Sequence, residues 1–229
     1  MIVGLTGGIA CGKSSVSAAI LKAGRSGVVV IDLDELARRV VAPGRSAYHK
    51  IVATFTEAIL NRDGTIDRER LGQIIFADRA KRRELNAATH WPILWELVQE
   101  AAAARSAGAH IIFLDAPLLF ETSLNLLCGA TVVVHVKRAT QLSRLQGRDH
   151  LDREECERRI DAQMPLASKM DRADLLIDND GSREQTDPAI QMTLQRLETL
   201  ASQCSFRRVL QAALLTPVLA VVGLLSGGH

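Results

Sequence analysis

The sequence predicts an α/β fold: a five-stranded parallel sheet with helices on both faces. Three observations carry that prediction. Five short runs, Ile2–Leu5, Val28–Ile31, Ile111–Leu114, Val132–Val136 and Leu175–Ile177, are apolar save for His135 in the fourth. Strands covered on both sides read this way, whereas half-exposed strands alternate. Longer helical stretches separate the runs, which is the pattern of strand–helix–strand units. A glycine-rich turn after the first run leads directly into a helix from Lys13 to about Ala23.

That first turn, Gly7-Gly8-Ile9-Ala10-Cys11-Gly12-Lys13-Ser14, matches the P-loop pattern at every fixed position. Glycines let the backbone wrap a phosphate chain with its N–H groups pointing inward, and the following helix N-terminus adds a favourable dipole. The nucleotide-binding set is therefore Gly7 to Ser14 with Ser15. Lys13 would neutralise the β- and γ-phosphates of ATP, and the Ser14 hydroxyl would help hold Mg²⁺. The fold class becomes an α/β sheet of the P-loop NTPase type.

The second run ends in Asp32-Leu33-Asp34-Glu35. Phosphoryl transfer needs one carboxylate to orient or deprotonate the attacking hydroxyl and another to organise Mg²⁺. Ligands of open α/β sheets gather at the carboxyl ends of the strands, which would set both aspartates beside the P-loop. Asp34 reads equally well as the N-cap of a helix over Glu35–Val41.

About eighty residues then precede the third run, far more than one crossover helix needs. They read as helices around Arg45–Leu60, Arg68–Phe76, Arg79–Ala88 and Ile93–Arg105. The turn Asn61-Arg62-Asp63-Gly64 divides the first pair. His90, beside Trp91, reads first as a structural histidine, and no zinc-ligand spacing surrounds it.

The third run ends in Asp115, the shape of a Walker B carboxylate near Mg²⁺. A charged helical stretch from Thr140 to Lys169 follows the fourth run. Within it Asp152 and Glu155 form a capping-box signature for a second helix. Arg144 and Arg148 are spaced i, i+4 and share one helix face. They suit a lid that closes over transferring phosphate; the alternative is a solvated face with Asp149 as local partner.

Net charge is +2 with acidic and basic residues mixed, and 3% of residues are aromatic. Both features argue against a nucleic-acid binder, which would show a basic face or stacking platform. The four cysteines, Cys11, Cys128, Cys156 and Cys204, have neither metal nor redox spacing and read as reduced thiols. No leader pattern follows Met1. The run from Val209 to Leu225 is seventeen residues without a charge, preceded by Arg207-Arg208. As a helix it would span roughly 25 Å, slightly short of a ~30 Å hydrocarbon core. It reads as a membrane anchor with the catalytic domain facing the cytoplasm; the alternative is a terminal helix packed on the domain.

Together these motifs resemble the dephospho-CoA kinase family over residues 1 to about 200. The matching segments include LTGGIACGKS at Leu5–Ser14, VIDLDELARRVV at Val30–Val41 and DGTIDRERL at Asp63–Leu71. LNAATH at Leu85–His90, DAPLLFE at Asp115–Glu121, QLSRLQGRD at Gln141–Asp149, RIDAQMP at Arg159–Pro165 and ADLLIDNDG at Ala173–Gly181 follow in family order. The resemblance implies ATP-dependent phosphorylation of the ribose 3′-hydroxyl of dephospho-CoA, the last step of coenzyme A synthesis. It makes Asp34 the catalytic base with Asp32 its neighbour, and Arg144 and Arg148 lid arginines. It makes the region of residues 40–105 the CoA-binding part, with His90 and Arg68 as substrate contacts, and Ile177–Gly181 the loop near the adenine. Candidate metal contacts are Ser14, Asp32 and Asp115.

The expected organisation is a kinase domain over 1–205, with a core of 1–40 and 108–200. A helical insertion spans about 41–107, a lid about 140–165, and a hydrophobic tail 206–229. Three positions depart from the family pattern: Ala10-Cys11 where another glycine is common, Thr56 where glycine is usual, and Trp91 before Pro92 where proline is usual one place earlier. Another small-molecule or nucleotide P-loop kinase is the competing reading. A membrane-tethered GTPase switch is disfavoured because no N-K-x-D segment exists, and an inactive scaffold because Lys13, Ser14, Asp34 and Asp115 are all present.

Overall fold

A computed structural model describes residues 1–203. The chain divides into two compact units, Met1–Val30 with Ala107 onward, and Ile31–Ser106. The five predicted strands all form: β1 (Ile2–Gly7), β2 (Val28–Asp32), β3 (Ile111–Asp115), β4 (Ala130–His135) and β5 (Leu175–Asp178). They make one parallel sheet in the order β2-β3-β1-β4-β5, with β1 at the centre.

Register decides what the sheet presents. Leu5 of β1 pairs with Asp115, Gly7 with Val134, and His135 of β4 with Asp178. The carboxyl ends of β1, β3, β4 and β5 therefore open onto one edge, where ligands of such sheets bind. All of β3 and the last five residues of β1 are buried, as their unbroken apolar character requires.

In the first unit, α1 (Lys13–Lys22) and α9 (Arg183–Gln203) pack on each other and on the sheet. Val16 and Ile20 of α1 and Ile190, Leu194 and Leu197 of α9 bury with Val3, Leu5, Phe113 and Val132 in one core. Spacing of three and four residues sets these side chains on one face of each helix.

The charged stretch after β4 forms three helices: α6 (Arg138–Asp149), α7 (Arg153–Asp161) and α8 (Leu166–Asp171). The Asp152 carboxylate accepts from Glu155 N at 2.7 Å and caps α7, as the capping box predicts. The start of α6 is held from 43 residues away: Lys137 N donates to Asp180 Oδ1 at 3.0 Å. The Thr140 hydroxyl, then the Lys137 amide, hold the Asp180 carboxyl down to about 2.

The second unit carries α2 (Leu33–Val40), α3 (Ser46–Phe55), α4 (Arg68–Ala77) and α5 (Arg79–Ser106), with a 3-10 turn at Glu57–Ile59. Ile51, Phe55, Ile59, Ile66, Leu71 and Ala88 form its core. The predicted turn at Asn61–Gly64 closes through Gly64 N to Asn61 O at 3.0 Å. Two expectations are corrected here. The N-cap of α2 is Asp32 rather than Asp34: its Oδ1 accepts from Asp34 N and Glu35 N at 2.8 and 3.1 Å. The helix thus starts two residues earlier than the sequence suggested.

The second correction is that α5 is one helix of 28 residues, not two. Pro92 removes the backbone donor for the carbonyl of Ala88, which normally ends or kinks a helix. Here α2, α3 and α4 all pack against α5, so tertiary contacts along its length outweigh the local loss.

Thr56 sits at φ 66°, ψ 177°, a region that side chains avoid and glycine occupies freely. That conformation costs a β-branched residue about 1–3 kcal/mol. Thr56 N donates to Val52 O at 2.9 Å, which glycine would retain, and the side chain adds a long 3.4 Å contact from Ala58 N. The substitution Thr56→Gly is expected to stabilise the protein by about 1 kcal/mol, read as an upward shift in urea midpoint with unchanged slope. Equal or lower stability would refute strain at this position.

Candidate active site

The phosphate loop runs from Gly7 to Ser14 between β1 and α1. Gly12, with φ 80° and ψ 25°, ends the loop and caps α1, a conformation only glycine adopts without strain. Ser15 N and Val16 N already donate to Gly12 O at 3.0 and 3.1 Å, so the donors that this helix end offers to an anion are the N–H groups ahead of them. Within the loop Cys11 N donates to Gly8 O at 3.1 Å, closing a tight turn.

Lys13 Nζ forms an ion pair with Asp115 Oδ1, joining the end of β3 to the start of α1. Asp115 is 3% exposed, and a carboxylate buried this deeply requires a cation or donors beside it. Two of the predicted groups, the loop lysine and the Walker B aspartate, are thus brought together. Ser14 lies exposed at the start of α1, next to Lys13 in the chain.

The backbone of the loop is held by three side-chain amides. Gln141 Nε2 of α6 donates to Ile9 O at 2.8 Å, and Ile9 N donates to Gln163 Oε1 at 2.9 Å. Asn179 Nδ2, just after β5, donates to Cys11 O at 2.9 Å, while its Oδ1 accepts from the Thr186 hydroxyl at 3.1 Å. Ile9 and Ala10 also pack against Leu142, Leu145, Cys156 and Ile160 of α6 and α7.

A cavity of about 290 Å³ opens beside the loop, lined by Gly12, Ser15, Arg144, Asn179, Gly181, Arg183 and Asp187 among others. Arg144 faces it. Arg148 does not line it: its Nε and Nη2 pair with Asp149 Oδ1 and Oδ2 at 2.7 and 3.1 Å. This hydrogen-bonded pairing holds the Asp149 carboxyl below its ordinary range. The two arginines, one turn apart in sequence, thus differ: Arg144 lines the cavity and Arg148 pairs with Asp149.

Burial pushes the Cys11 thiol above its ordinary range and the Cys128 thiol up to about 12. Both are therefore thiols rather than reactive thiolates near neutral pH. Cys156 is also an unpaired thiol, and Cys204 lies outside the described residues.

Asp32 and Asp34 fall in the second unit, as do Arg68 and His90. Asp32 uses Oδ1 to cap α2, and Asp34 is exposed in its first turn. Arg68 begins α4 and is exposed. His90 is exposed on α5.

The family model for dephospho-CoA kinase, CoaE, matches residues 1–185. This chain belongs to the dephospho-CoA kinase family. It is accordingly an ATP-dependent kinase with an alcohol group as acceptor. A dephospho-CoA kinase of Shouchella clausii is 46% identical over 186 residues, 81% of this chain and 93% of the relative. A dephospho-CoA kinase domain-containing protein of Danio rerio is 44% identical over 214 residues, 93% of this chain and 92% of the relative. Among solved structures, one from Thermus thermophilus superposes with a TM-score of 0.74 at 32% identity, covering 86% of this chain and 97% of its own. The dephospho-CoA kinase of Campylobacter jejuni gives 0.63 at 26% identity, over 86% of this chain and 96% of its own.

Residues that the sequence analysis did not single out are Gln141, Gln163, Asn179 and Lys169. Lys169 of α8 is fully buried; its Nζ donates to Pro117 O at 2.8 Å and pairs with Glu121 at 2.8 Å. Each lies in or beside a quoted motif, but its partner is a backbone or buried group far away in sequence. A lysine in a helical stretch gives no sign of such burial.

Among the described residues no group of three or more His, Cys, Asp or Glu is placed to hold a metal by itself, and no helix is long and apolar enough to cross a membrane. The hydrophobic tail lies outside the described residues.

Proposed function

We propose that this chain transfers the γ-phosphate of ATP to the ribose 3′-hydroxyl of dephospho-CoA. The match of the dephospho-CoA kinase family model over residues 1–185 carries this reading. It is supported by a phosphate loop whose lysine meets a buried carboxylate at the end of β3.

The triphosphate lies along the loop, where backbone N–H groups and the amino end of α1 bind its oxygens. Lys13 shifts from Asp115 to the β- and γ-phosphates, the larger negative charge. Arg144, already facing the cavity beside the loop, adds its charge to the transferring group. Arg148 joins only by exchanging Asp149 for phosphate, a step that lid closure would drive. Asn179 and Gly181 border the space into which the base of ATP would fit.

Mg²⁺ takes hard oxygen ligands and commonly keeps several waters, so few protein groups suffice. The Ser14 hydroxyl and the Asp115 carboxylate are such ligands and fit the ion; Asp32 retains a carboxylate oxygen beyond its capping contacts. When bound, Mg²⁺ neutralises charge on the β- and γ-phosphates. Asp34 accepts the proton of the 3′-hydroxyl as the oxygen attacks phosphorus. Arg68 and His90, both exposed, contact the acceptor from the second unit.

The uncharged run from Val209 to Leu225 behind Arg207-Arg208 favours a membrane anchor. Flotation of the full chain with liposomes of a phosphatidylcholine and phosphatidylglycerol mixture, but not of a chain ending at Ser205, is the expected result. Equal behaviour of the two would refute the anchor.

The reaction is tested by incubating protein with ATP, Mg²⁺ and dephospho-CoA, and following acceptor mass, with adenosine, AMP and gluconate in parallel. Gain of one phosphate by dephospho-CoA alone is expected; transfer only to another acceptor would discard the substrate assignment. Asp34→Asn is expected to bind ATP within about twofold of the unaltered chain while turnover falls by roughly 10²–10⁴. Turnover at the unaltered rate would remove Asp34 as base.

A further inference from the structure

Three neutral amides hold the phosphate loop from behind, and they come from three segments that follow β4. Gln141 lies on α6, Gln163 between α7 and α8, and Asn179 after β5. Between them they engage both polar backbone groups of Ile9 and the carbonyl of Cys11. We propose that Gln141, Gln163 and Asn179 are positioning residues that set the phosphate loop in its binding shape and couple it to the lid helices. The inference deepens the kinase reading above and rests on its assignment of the loop to ATP phosphates.

The contacts are specific in polarity. Ile9 O needs a donor and Ile9 N–H needs an acceptor, so the two glutamines present opposite ends of their amides to one residue. Gln141 is 3% exposed, so its contact with Ile9 is shielded from competing water. The loop leaves room for these groups. A Cβ on Gly8 would come within 2.8 Å of Gln141 Nε2, and one on Gly12 would run into Asn179 Nδ2. Both glycines therefore serve the amides behind the loop as well as the phosphates in front of it.

Neutral groups are the appropriate choice here. A carboxylate behind the loop would repel a triphosphate, and a lysine would offer it a competing cation. An amide satisfies the backbone while leaving the field at the phosphates to Lys13 and Arg144. The packing of Ile9 and Ala10 against Leu142, Leu145, Cys156 and Ile160 ties the same stretch to α6 and α7. A shift of those helices therefore moves Ile9, and a ligand that fixes the loop biases the helices in return.

The test compares Gln163→Glu with Gln141→Glu in the full chain, using calorimetric binding of ADP with Mg²⁺ and competition by adenosine, which carries no phosphate. Glutamate at 163 still accepts from Ile9 N–H, whereas glutamate at 141 faces Ile9 O without a donor. Both add the same charge against the same loop residue, so their difference isolates the missing donor. ADP binding is expected to weaken roughly tenfold or more for Gln141→Glu and under about threefold for Gln163→Glu. Adenosine binding should stay within about twofold throughout. Gln141→Met removes the donor without adding charge; it should weaken ADP binding roughly five- to tenfold and supplies the reading if Gln141→Glu does not fold. Unaltered ADP binding in Gln141→Met, equal losses in the two glutamate variants, or parallel loss of adenosine binding would each overturn the proposal. Failure of the unaltered chain to phosphorylate dephospho-CoA, with ADP bound and these ratios preserved, would refute the acceptor assignment alone.

Discussion

The nucleotide end of this protein depends on the passage from β1 through the phosphate loop into α1. β1 is the central strand, paired on one side with β3 and on the other with β4, so its carboxyl end cannot move without disturbing both neighbours. Gly12 then turns the chain into α1 through a left-handed conformation. The Lys13 ammonium comes to lie against Asp115, whose backbone is fixed by the pairing of β3 with β1. A buried carboxylate and a largely buried ammonium are both costly alone. Together, at the end of two paired strands, each compensates the charge of the other.

Charge in the segment after β4 is arranged in a corresponding way. Lys169 is buried in full and is tolerated because Glu121 and the Pro117 carbonyl receive its ammonium. Glu121 also accepts from Met164 N at 3.2 Å, so this one carboxylate secures the approach to α8 and the lysine within it. Pro117 O takes a second donor, the Thr6 hydroxyl at 3.1 Å, which joins that corner to β1. The amino end of α6 is held by Asp180, and its outer arginine by Asp149. The amino end of α6 is thus anchored by a carboxylate from beyond β5, while the exposed Arg148 near its carboxyl end pairs with its own neighbour.

Much of the scaffold was legible because its signals are local or periodic. All five strands sit where short apolar runs predicted them, and the loop announces itself by glycine spacing and by the strand and helix around it. The cap of α7 was visible as Asp152 and Glu155. What stayed hidden has identifiable causes. Pro92 argued for two helices, but the packing of α2, α3 and α4 along α5 is a tertiary effect that no local pattern records. Asp32 took the capping role for which Asp34 was the candidate, because a two-residue difference in helix start leaves the same residue type at the cap. Arg144 and Arg148 share a helix face by spacing, yet the neighbour Asp149 binds only the second. The amides of Gln141, Gln163 and Asn179 act on backbone atoms, which have no sequence identity to match.

The departures from the family pattern carry physical content of their own. Ala10 lies at φ 59° and Thr56 at φ 66°, so at both places where glycine is common or usual the chain retains the glycine conformation without the glycine. For an alanine the left-handed region costs roughly 1–2 kcal/mol, and for threonine the extended positive-φ region costs at least as much. A residue stays in such a conformation only where its surroundings leave no alternative. At Ala10 those surroundings are specific: Ile9 is pinned at both N and O, Cys11 is pinned at O, and the apolar cluster of α6 and α7 covers Ile9 and Ala10. Relaxing Ala10 would break one of these contacts, each worth about 1 kcal/mol once its partner is left buried. Ala10 therefore keeps its left-handed conformation because its neighbours impose it, whereas Gly12 adopts its own freely.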